Sequence, residues 1–394
     1  MNLYAASSQW ATRPPDECYW TLDEMARAAR QLADHSVTRT LAPSDLTIVN
    51  DDGEVRLRTP KTPAVNPGAR LTYHAFGQLA SLAGAPASYL RTLPAANVAA
   101  DLGYGFKVRA HDTSARLQVL AQHDQASSPD TIVRAVNGKD YSRVWTADML
   151  DYLTKAAESL PPGVLVTPPA WTSADWTGNT RAATAADVGP WTRVQLGDTI
   201  RPAGLYYGPS SGRDTFVLMI DTRAVIEGPD GAAKYRFLML WNSETGAATI
   251  GGALGLVDIV CGNHILWGVR DVTEFRFRHV GQSVERRAVR ELESTLSKLD
   301  TGSDWETRAL KAASNHILGD TIEKALQAAA GRTKLPMATL QAGAQLAEVS
   351  ARYGDPRSAY SVASGLTELS QQQPHFEDRT DLDRAAGKLY ACAL

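Results

Sequence analysis

Apolar and polar positions divide the chain into segments of two kinds. Residues 235–241 (Tyr-Arg-Phe-Leu-Met-Leu-Trp) form a short, aromatic, apolar run that predicts a buried strand. Residues 214–220 predict a second strand, joined to the first through the turn Gly228-Pro229-Asp230-Gly231. Alternation over residues 104–109 predicts a strand with Lys107 and Arg109 on one face. Residues 116–120 and 131–136 continue that style up to Asn137-Gly138, a tight-turn dipeptide. Phe275 and Phe277 alternate with Arg276 and Arg278 in a further strand.

Helical signals bracket these strands. Thr21 and Glu24 form a capping box that opens a helix to about residue 33. Residues 72–93 read as a helix, a break at Ala83-Gly84-Ala85-Pro86, and a short second helix closed by Pro94. This pair fits either a helix-turn-helix or a plain αα-hairpin. A helix covers 146–160, and residues 42–70 and 161–187 read as loops, the first holding one hairpin. From residue 282 onward Val289, Leu292, Leu296 and Leu299 recur at helical spacing, and further helices follow after Ser303, after Pro336, over 358–371 and over 381–393. The expected architecture is α+β: a helical N-terminal region with an arm (1–100), a central, largely antiparallel β-rich core (101–300), and a helical C-terminal region (301–394). Runs 215–222, 233–241 and 273–279, followed by a helix, give a β-β-β-α order.

With 394 residues and a net charge of −3, the chain lacks the strong basicity of a dedicated duplex-DNA binder, so any nucleic-acid contact needs a local basic face. Cys18, Cys261 and Cys392 make an odd count without paired spacing, which points to a reducing compartment. No secretory pattern opens the sequence and no run reaches the roughly 18 apolar residues of a membrane span. The expectation is a cytoplasmic protein, in a host cytoplasm if phage-encoded, with no membrane partner.

Candidate chemistry is sparse. Residues 208–213 (Gly-Pro-Ser-Ser-Gly-Arg) lack the Lys-Ser/Thr ending of a phosphate loop and read as a hairpin loop. Cys261, His264 and His279 are too few for a structural zinc site, so no metal and no cofactor is expected. Cys261 with His264 lacks a third group to orient the base, and Glu244 with Asp258 reads as carboxylates satisfying loop amides. An enzyme would centre on Glu244, Asp258 and His264, and the expectation is a non-catalytic protein. Asn242, Glu244, Gly246, Cys261, Gly262, Asn263, His264 and Trp267 read as structural, placing strand ends, turns and core. Between residues 270 and 290 six arginines face three acids, a local balance of +3. Arg276 and Arg278 share a strand face, while Arg286, Arg287 and Arg290 follow on the helix. Guanidinium groups suit phosphate contact and base stacking. Ion pairing with Glu285, Glu291 and Glu293, or a subunit interface, explains the same letters.

The pattern N-S-E-x-G at residues 242–246, followed by V-C-G-N-H-x-x-W-G at 260–268, resembles the phage/plasmid-like proteins grouped as domain of unknown function 932. Residues 73–93, Val133-Arg134-Ala135, Asp140-Tyr141-Ser142 and Leu196-Gly197-Asp198 extend the resemblance over roughly 70–300. It implies a phage or mobile-element setting and no agreed activity. The β-β-β-α order is similar to the core of ring-forming single-strand annealing proteins, in element order alone. The resulting expectation is a single-stranded DNA binding or annealing protein that forms a homo-oligomer. Its contact residues would be Arg276, Arg278, Arg286, Arg287 and Arg290, continued by Lys107 and Arg109. The alternative is a phage structural or assembly protein acting through self-association.

Overall fold

The computed structural model describes residues 15–60, 68–109, 117–123, 131–158, 160–161, 163–172, 176–208, 215–258, 263–266, 274–281, 283–300, 304–373 and 376–393. Its fold is α+β, built on two large sheets and a small one. The chain begins with β1 (Cys18–Tyr19) and α1 (Leu22–Asp34). The expected capping box holds α1: Thr21 Oγ1 accepts from the Glu24 amide at 3.1 Å, and the Glu24 carboxylate accepts from the Thr21 amide at 3.4 Å.

Next come β2 (Ser36–Leu41), β3 (Thr47–Asp51), β4 (Glu54–Arg58), β5 (Ala69–Leu71), α2 (Tyr73–Ala83), α3 (Ala87–Leu90), α4 (Ala95–Arg109), β6 (Leu117–His123) and β7 (Thr131–Gly138). Their six strands form one sheet in the order β2-β6-β7-β5-β4-β3, antiparallel except for β5 beside β7. Asp52 and Gly53 both adopt positive φ and close the β3–β4 hairpin. Helices α2 and α4 cover this sheet through Phe76, Leu79, Val98, Leu102 and Phe106.

Two expectations change here. The first hundred residues are not a helical region, because their strands pair with β6 and β7 from beyond residue 100, and that boundary falls inside α4. Residues 104–109 are helix rather than strand: Val98, Leu102 and Phe106 are buried four apart, whereas Tyr104 and Val108 are 72% and 51% exposed. Pro94 is the reason the helix starts where it does, since its carbonyl accepts from the amides of Asn97 and Val98. The short-range alternation of Tyr104, Phe106 and Val108 is incidental to that longer period.

After α5 (Thr146–Ala157), the stretch expected to be loop contains β8 (Leu165–Val166), β9 (Pro169–Trp171) and β10 (Arg181–Ala182). With β11 (Thr199–Pro202) they yield a three-stranded sheet, β10-β11-β9, while β8 joins the main sheet. The main sheet consists of β12 (Leu205–Tyr207), β13 (Thr215–Glu227), β14 (Ala233–Asn242), β15 (Ile250–Asp258), β16 (Asn263–Leu266) and β17 (Glu274–Phe277), with β1 and β8. Its order is β1-β12-β13-β14-β15-β16, and β17 also lies on β15. The third long strand is therefore β15, not the run 273–279, which supplies only a short edge strand. Small residues made β15 inconspicuous in the sequence, and packing requires them: a Cβ on Gly251 would sit 2.4 Å from the Trp241 ring, and one on Gly252 2.5 Å from Leu240.

Helix α6 (Val284–Ser297) joins α1 and α5 on the sheet face carrying Leu238, Leu240, Leu254 and Phe275. The opposite face carries Phe237, Met239 and Trp241 and is covered by Trp191, Val166 and Trp176. Helices α7 (Asp304–Asn315), α8 (Ile322–Thr333), α9 (Met337–Ser350), α10 (Ala359–Gln371) and α11 (Phe376–Ala391) bury a further core against Ile226 and Leu256. Arg236 anchors them, pairing with Glu306 at 2.6 Å and donating to the Leu299 carbonyl at 2.9 Å. Among the described residues no helix is long and apolar enough to cross a membrane.

Helices α9 and α10 touch at Gly343 and Gly365, where a Cβ on Gly365 would stand 2.2 Å from the Gly343 carbonyl oxygen. Gly365→Ala must push the two backbones apart. It is expected to cost about 1–3 kcal/mol in urea unfolding, as overpacked cores do, while Gly331→Ala, whose Cβ meets open space, leaves stability nearly unchanged.

Candidate nucleic-acid interface and the buried joint behind it

β14 ends in Asn242-Ser243-Glu244-Thr245-Gly246, and the first four of these residues are at most 1% exposed. Buried polar groups persist only when paired, and here the partners come from across the fold. The Glu244 carboxylate accepts from Arg134 Nη2 of β7 at 2.9 Å, from the Thr146 amide at 2.9 Å and from the Tyr207 hydroxyl at 3.3 Å. Thr146 is the first residue of α5, whose N-cap position is Trp145 and lacks a side-chain cap. Glu244 therefore caps α5 from a distant strand, placing an anion at the positive end of the helix.

The backbone of the same turn is tied to the other sheet. Thr245 O accepts from Asn137 Nδ2 at 2.9 Å, Gln78 Nε2 at 3.2 Å and His74 Nε2 at 3.3 Å. Ser243 O accepts from the Tyr141 hydroxyl at 2.8 Å, and Glu244 O from Arg143. Asn242 Nδ2 donates to Val144 O at 2.9 Å. Gly246 has φ +85°, and a Cβ there would meet Asn137 Nδ2 at 2.7 Å, so both conformation and space call for glycine.

Other expected site residues fall elsewhere. Asn263 and His264 lie on β16, opposite Asp258 and Val257. Asp258 stands at the far end of the β14–β15 pair from Glu244, because it registers with Lys234 while Trp241 registers with Gly251. At about 3.3 Å per residue the two carboxylate positions are roughly 25 Å apart, so the structure does not assemble the candidate Glu244–Asp258 pair. Cys261, Gly262 and Trp267 lie outside the described residues. Among the described residues no group of three His, Cys, Asp or Glu side chains is placed to hold a metal ion.

His279 connects this joint to the arginines. Its Nδ1 donates to Ser142 O at 3.1 Å, its carbonyl accepts from the Ser142 amide at 2.8 Å, and its ring lies 5.2 Å from that of Tyr141. Burial, and to a lesser degree the nearby Arg143 charge, pull the His279 pKa down to about 4.

The arginines themselves lie at the free edge of β17 and on α6. Phe275 and Phe277 face the core beneath α6. Arg276 registers with Gly251, which registers with Trp241, so it belongs to the opposite sheet face. The single strip expected to run from Arg276 to Arg290 is therefore divided by the sheet edge. Arg278, Arg286, Arg287 and Arg290 are exposed near the β17–α6 junction, with Arg287 stacked 4.2 Å over the Phe277 ring. Arg278, Arg286 and Arg290 form no ion pair among the described residues. Of the three acids expected to neutralise them, Glu285 instead accepts from the Tyr152 hydroxyl at 2.9 Å. Among the described residues Arg276 approaches Glu274 alone, at 4.0 Å, and Glu274 is held by Arg384 at 2.7 Å.

Lys107 and Arg109 do not extend this surface. They sit on α4, which packs against α2, β3 and β4, whereas α6 packs against α5, β15 and β17. The αα-hairpin offers no reading helix either: α3 has four residues, and Arg91 is stacked 3.6 Å over Tyr73.

A second polar-aromatic surface gathers Trp171 and Trp176, conspicuous in the 161–187 segment, with arginines whose placement carried no signal along the sequence. On the small sheet Arg193 lies over Trp171 at 5.7 Å, Arg201 over Trp176 at 4.7 Å, and Arg181 over Trp20 at 4.2 Å. These partners are separated by 22 to 161 positions, so no local pattern announces them.

Fold and site together define an α+β protein with its motif carboxylate locked in a buried joint and its arginines turned to solvent. Residues 209–392 match the family model described as Domain of unknown function (DUF932). The match covers β13 to β17 and α6 to α11. It thus takes in the C-terminal helices, which fitted the resemblance over 70–300 more loosely, and omits the six-stranded sheet. No curated protein and no solved structure matches the chain.

Removing one partner of a buried, hydrogen-bonded pair strands the other charge. Glu244→Ala is expected to lower unfolding free energy by about 3–5 kcal/mol, and Arg134→Met in the same chain to recover part of that loss; denaturant unfolding of the three proteins checks both. His279 contributes in a pH-dependent way. Its folded pKa lies below the unfolded value near 6.5, so its contribution is complete above pH 6.5 and is lost as pH falls toward 4. The loss is about 3 kcal/mol, and His279→Phe should lack that component when unfolding is followed from pH 7 to pH 4.

Proposed function

We propose that the protein binds single-stranded nucleic acid without catalysing a reaction, using the arginines of the β17–α6 junction as phosphate contacts. One observation carries this reading: Arg278, Arg286 and Arg290 are exposed and form no ion pair among the described residues, although acids stand beside them in sequence. Unneutralised guanidinium groups beside an aromatic stack suit a phosphate backbone with unpaired bases. Glu244, the most prominent motif acid, is 0% exposed and committed to Arg134, which favours a scaffold role over chemistry. The expected setting is a phage or mobile element, with strand annealing as the activity and single-stranded DNA as the partner.

Self-association is the second reading. Among the described strands β17 pairs only with β15, leaving an edge that a second copy can extend, and open edges are natural sites of strand addition. Assembly and strand binding are compatible in one ring or filament.

Titrating a labelled oligonucleotide across salt concentrations tests the first reading. Each phosphate neutralised on a single strand contributes about −0.7 to the slope of log affinity against log salt. Arg286→Ala with Arg290→Ala should flatten that slope by roughly 1.4 while leaving the melting temperature unchanged, since both side chains are exposed. Equal slopes, or no binding by the unaltered protein, refute it.

A further inference from the structure

We propose that the small β9–β10–β11 sheet stacks the bases of the bound strand, with Trp171 as the principal platform; this rests on the single-strand reading above and names a second, chemically distinct contact. Trp171 is 49% exposed, a large apolar area to leave in water on a folded surface. It is also fixed in place. Its Nε1 donates to Asp198 Oδ2 at 2.9 Å, and the same oxygen accepts from the Gln195 amide at 2.8 Å, which pins the indole to the turn before β11. A ring already held in one orientation loses little freedom on stacking, so more of the contact energy is retained.

The pattern recurs twice nearby. Arg201 lies over Trp176 and Arg181 over Trp20, and Trp20 Nε1 is itself tied to Asn179 Oδ1 at 2.7 Å. The charges differ in kind from those of α6. Arg181 is neutralised by Asp187 through two bonds of 2.5 and 2.6 Å, and the Arg181 guanidinium holds the Asp187 carboxyl down to about 2. A surface of fixed aromatic faces, with Asp187 balancing the Arg181 guanidinium, suits flat uncharged rings better than a row of phosphates. Base faces meet that description and differ little from one another, so such a platform tolerates any sequence.

The position is compatible with one continuous ligand. Trp176, Trp191 and Val166 seat this region on the main-sheet face that carries Trp241, and Arg276 registers onto the same face through Gly251. Arg276 and the small sheet are then reached from one side of the main sheet, while Arg286 and Arg290 lie on the side that α6 covers, so a strand touching both surfaces passes round the β17 edge.

The test compares the full-length protein with Trp171→Ala and Trp171→Phe, using a labelled oligothymidylate and an abasic strand of equal length. Trp171→Ala should weaken oligothymidylate binding roughly tenfold to a hundredfold, leave its salt slope unchanged and leave abasic-strand binding unaffected. Trp171→Phe should restore most of the affinity. Equal weakening on both strands, or none on oligothymidylate, overturns the base-stacking role while the phosphate reading stands on its own slope. If Trp171→Ala instead converts an oligomer into a monomer in light scattering with oligothymidylate binding intact, the surface is an interface between copies and the proposal is wrong. An unaltered protein that binds neither strand removes both readings together.

Discussion

The Glu244 carboxylate is the constraint around which the two large sheets are arranged. An ion removed from water must be met by donors at every lone pair it presents, or the desolvation cost is not recovered. Here the donors come from β7, from the first turn of α5 and from β12, three elements far apart in the chain. Their geometry is satisfied only when the six-stranded sheet, α5 and the main sheet adopt one mutual placement. The carbonyls of Ser243, Glu244 and Thr245 repeat the requirement at the backbone level, drawing side chains from α2, β7 and the turn that follows it.

That joint bears on the exposed surfaces although it reaches none of them. His279 leads from the Tyr141–Ser142 turn to the end of β17, and α6 begins five residues later. Beneath, Phe275 and Phe277 pack under the helix and Arg287 covers Phe277 from outside. Arg286, Arg287 and Arg290 are thus carried on a helix rather than on a loop, which keeps their spacing constant when a polyanion approaches. Trp171 achieves the same on the small sheet by other means, an indole N–H held by a turn carboxylate.

Much of the secondary structure was legible because it depends on short-range signals. The Thr21–Glu24 box, the Gly-Pro-Asp-Gly turn, the 235–241 run, the Pro336 start of α9 and the Ser358 cap of α10 all act within a few residues. Two segments misled for opposite reasons. Residues 104–109 alternate over a window too short to reveal the four-residue spacing of Val98, Leu102 and Phe106. The segment that became β15 did not read as a strand because its glycines answer to the Trp241 and Leu240 side chains across the ladder, and no local rule contains those neighbours.

The sequence by itself determined the fold class, most helices and strands, the carboxylate-centred motif and the local excess of arginine. Each follows from composition, period or spacing along the chain. Tertiary structure alone decided what those residues do. It buried Glu244 against Arg134, 110 positions away, placed Asp258 at the opposite end of the ladder, and turned Arg276 to a different face from Arg286. It also brought Arg181 onto Trp20 and Arg193 onto Trp171. Burial, ion pairing and stacking are properties of distances in space, and a chain pattern carries them only when the partners are near in sequence.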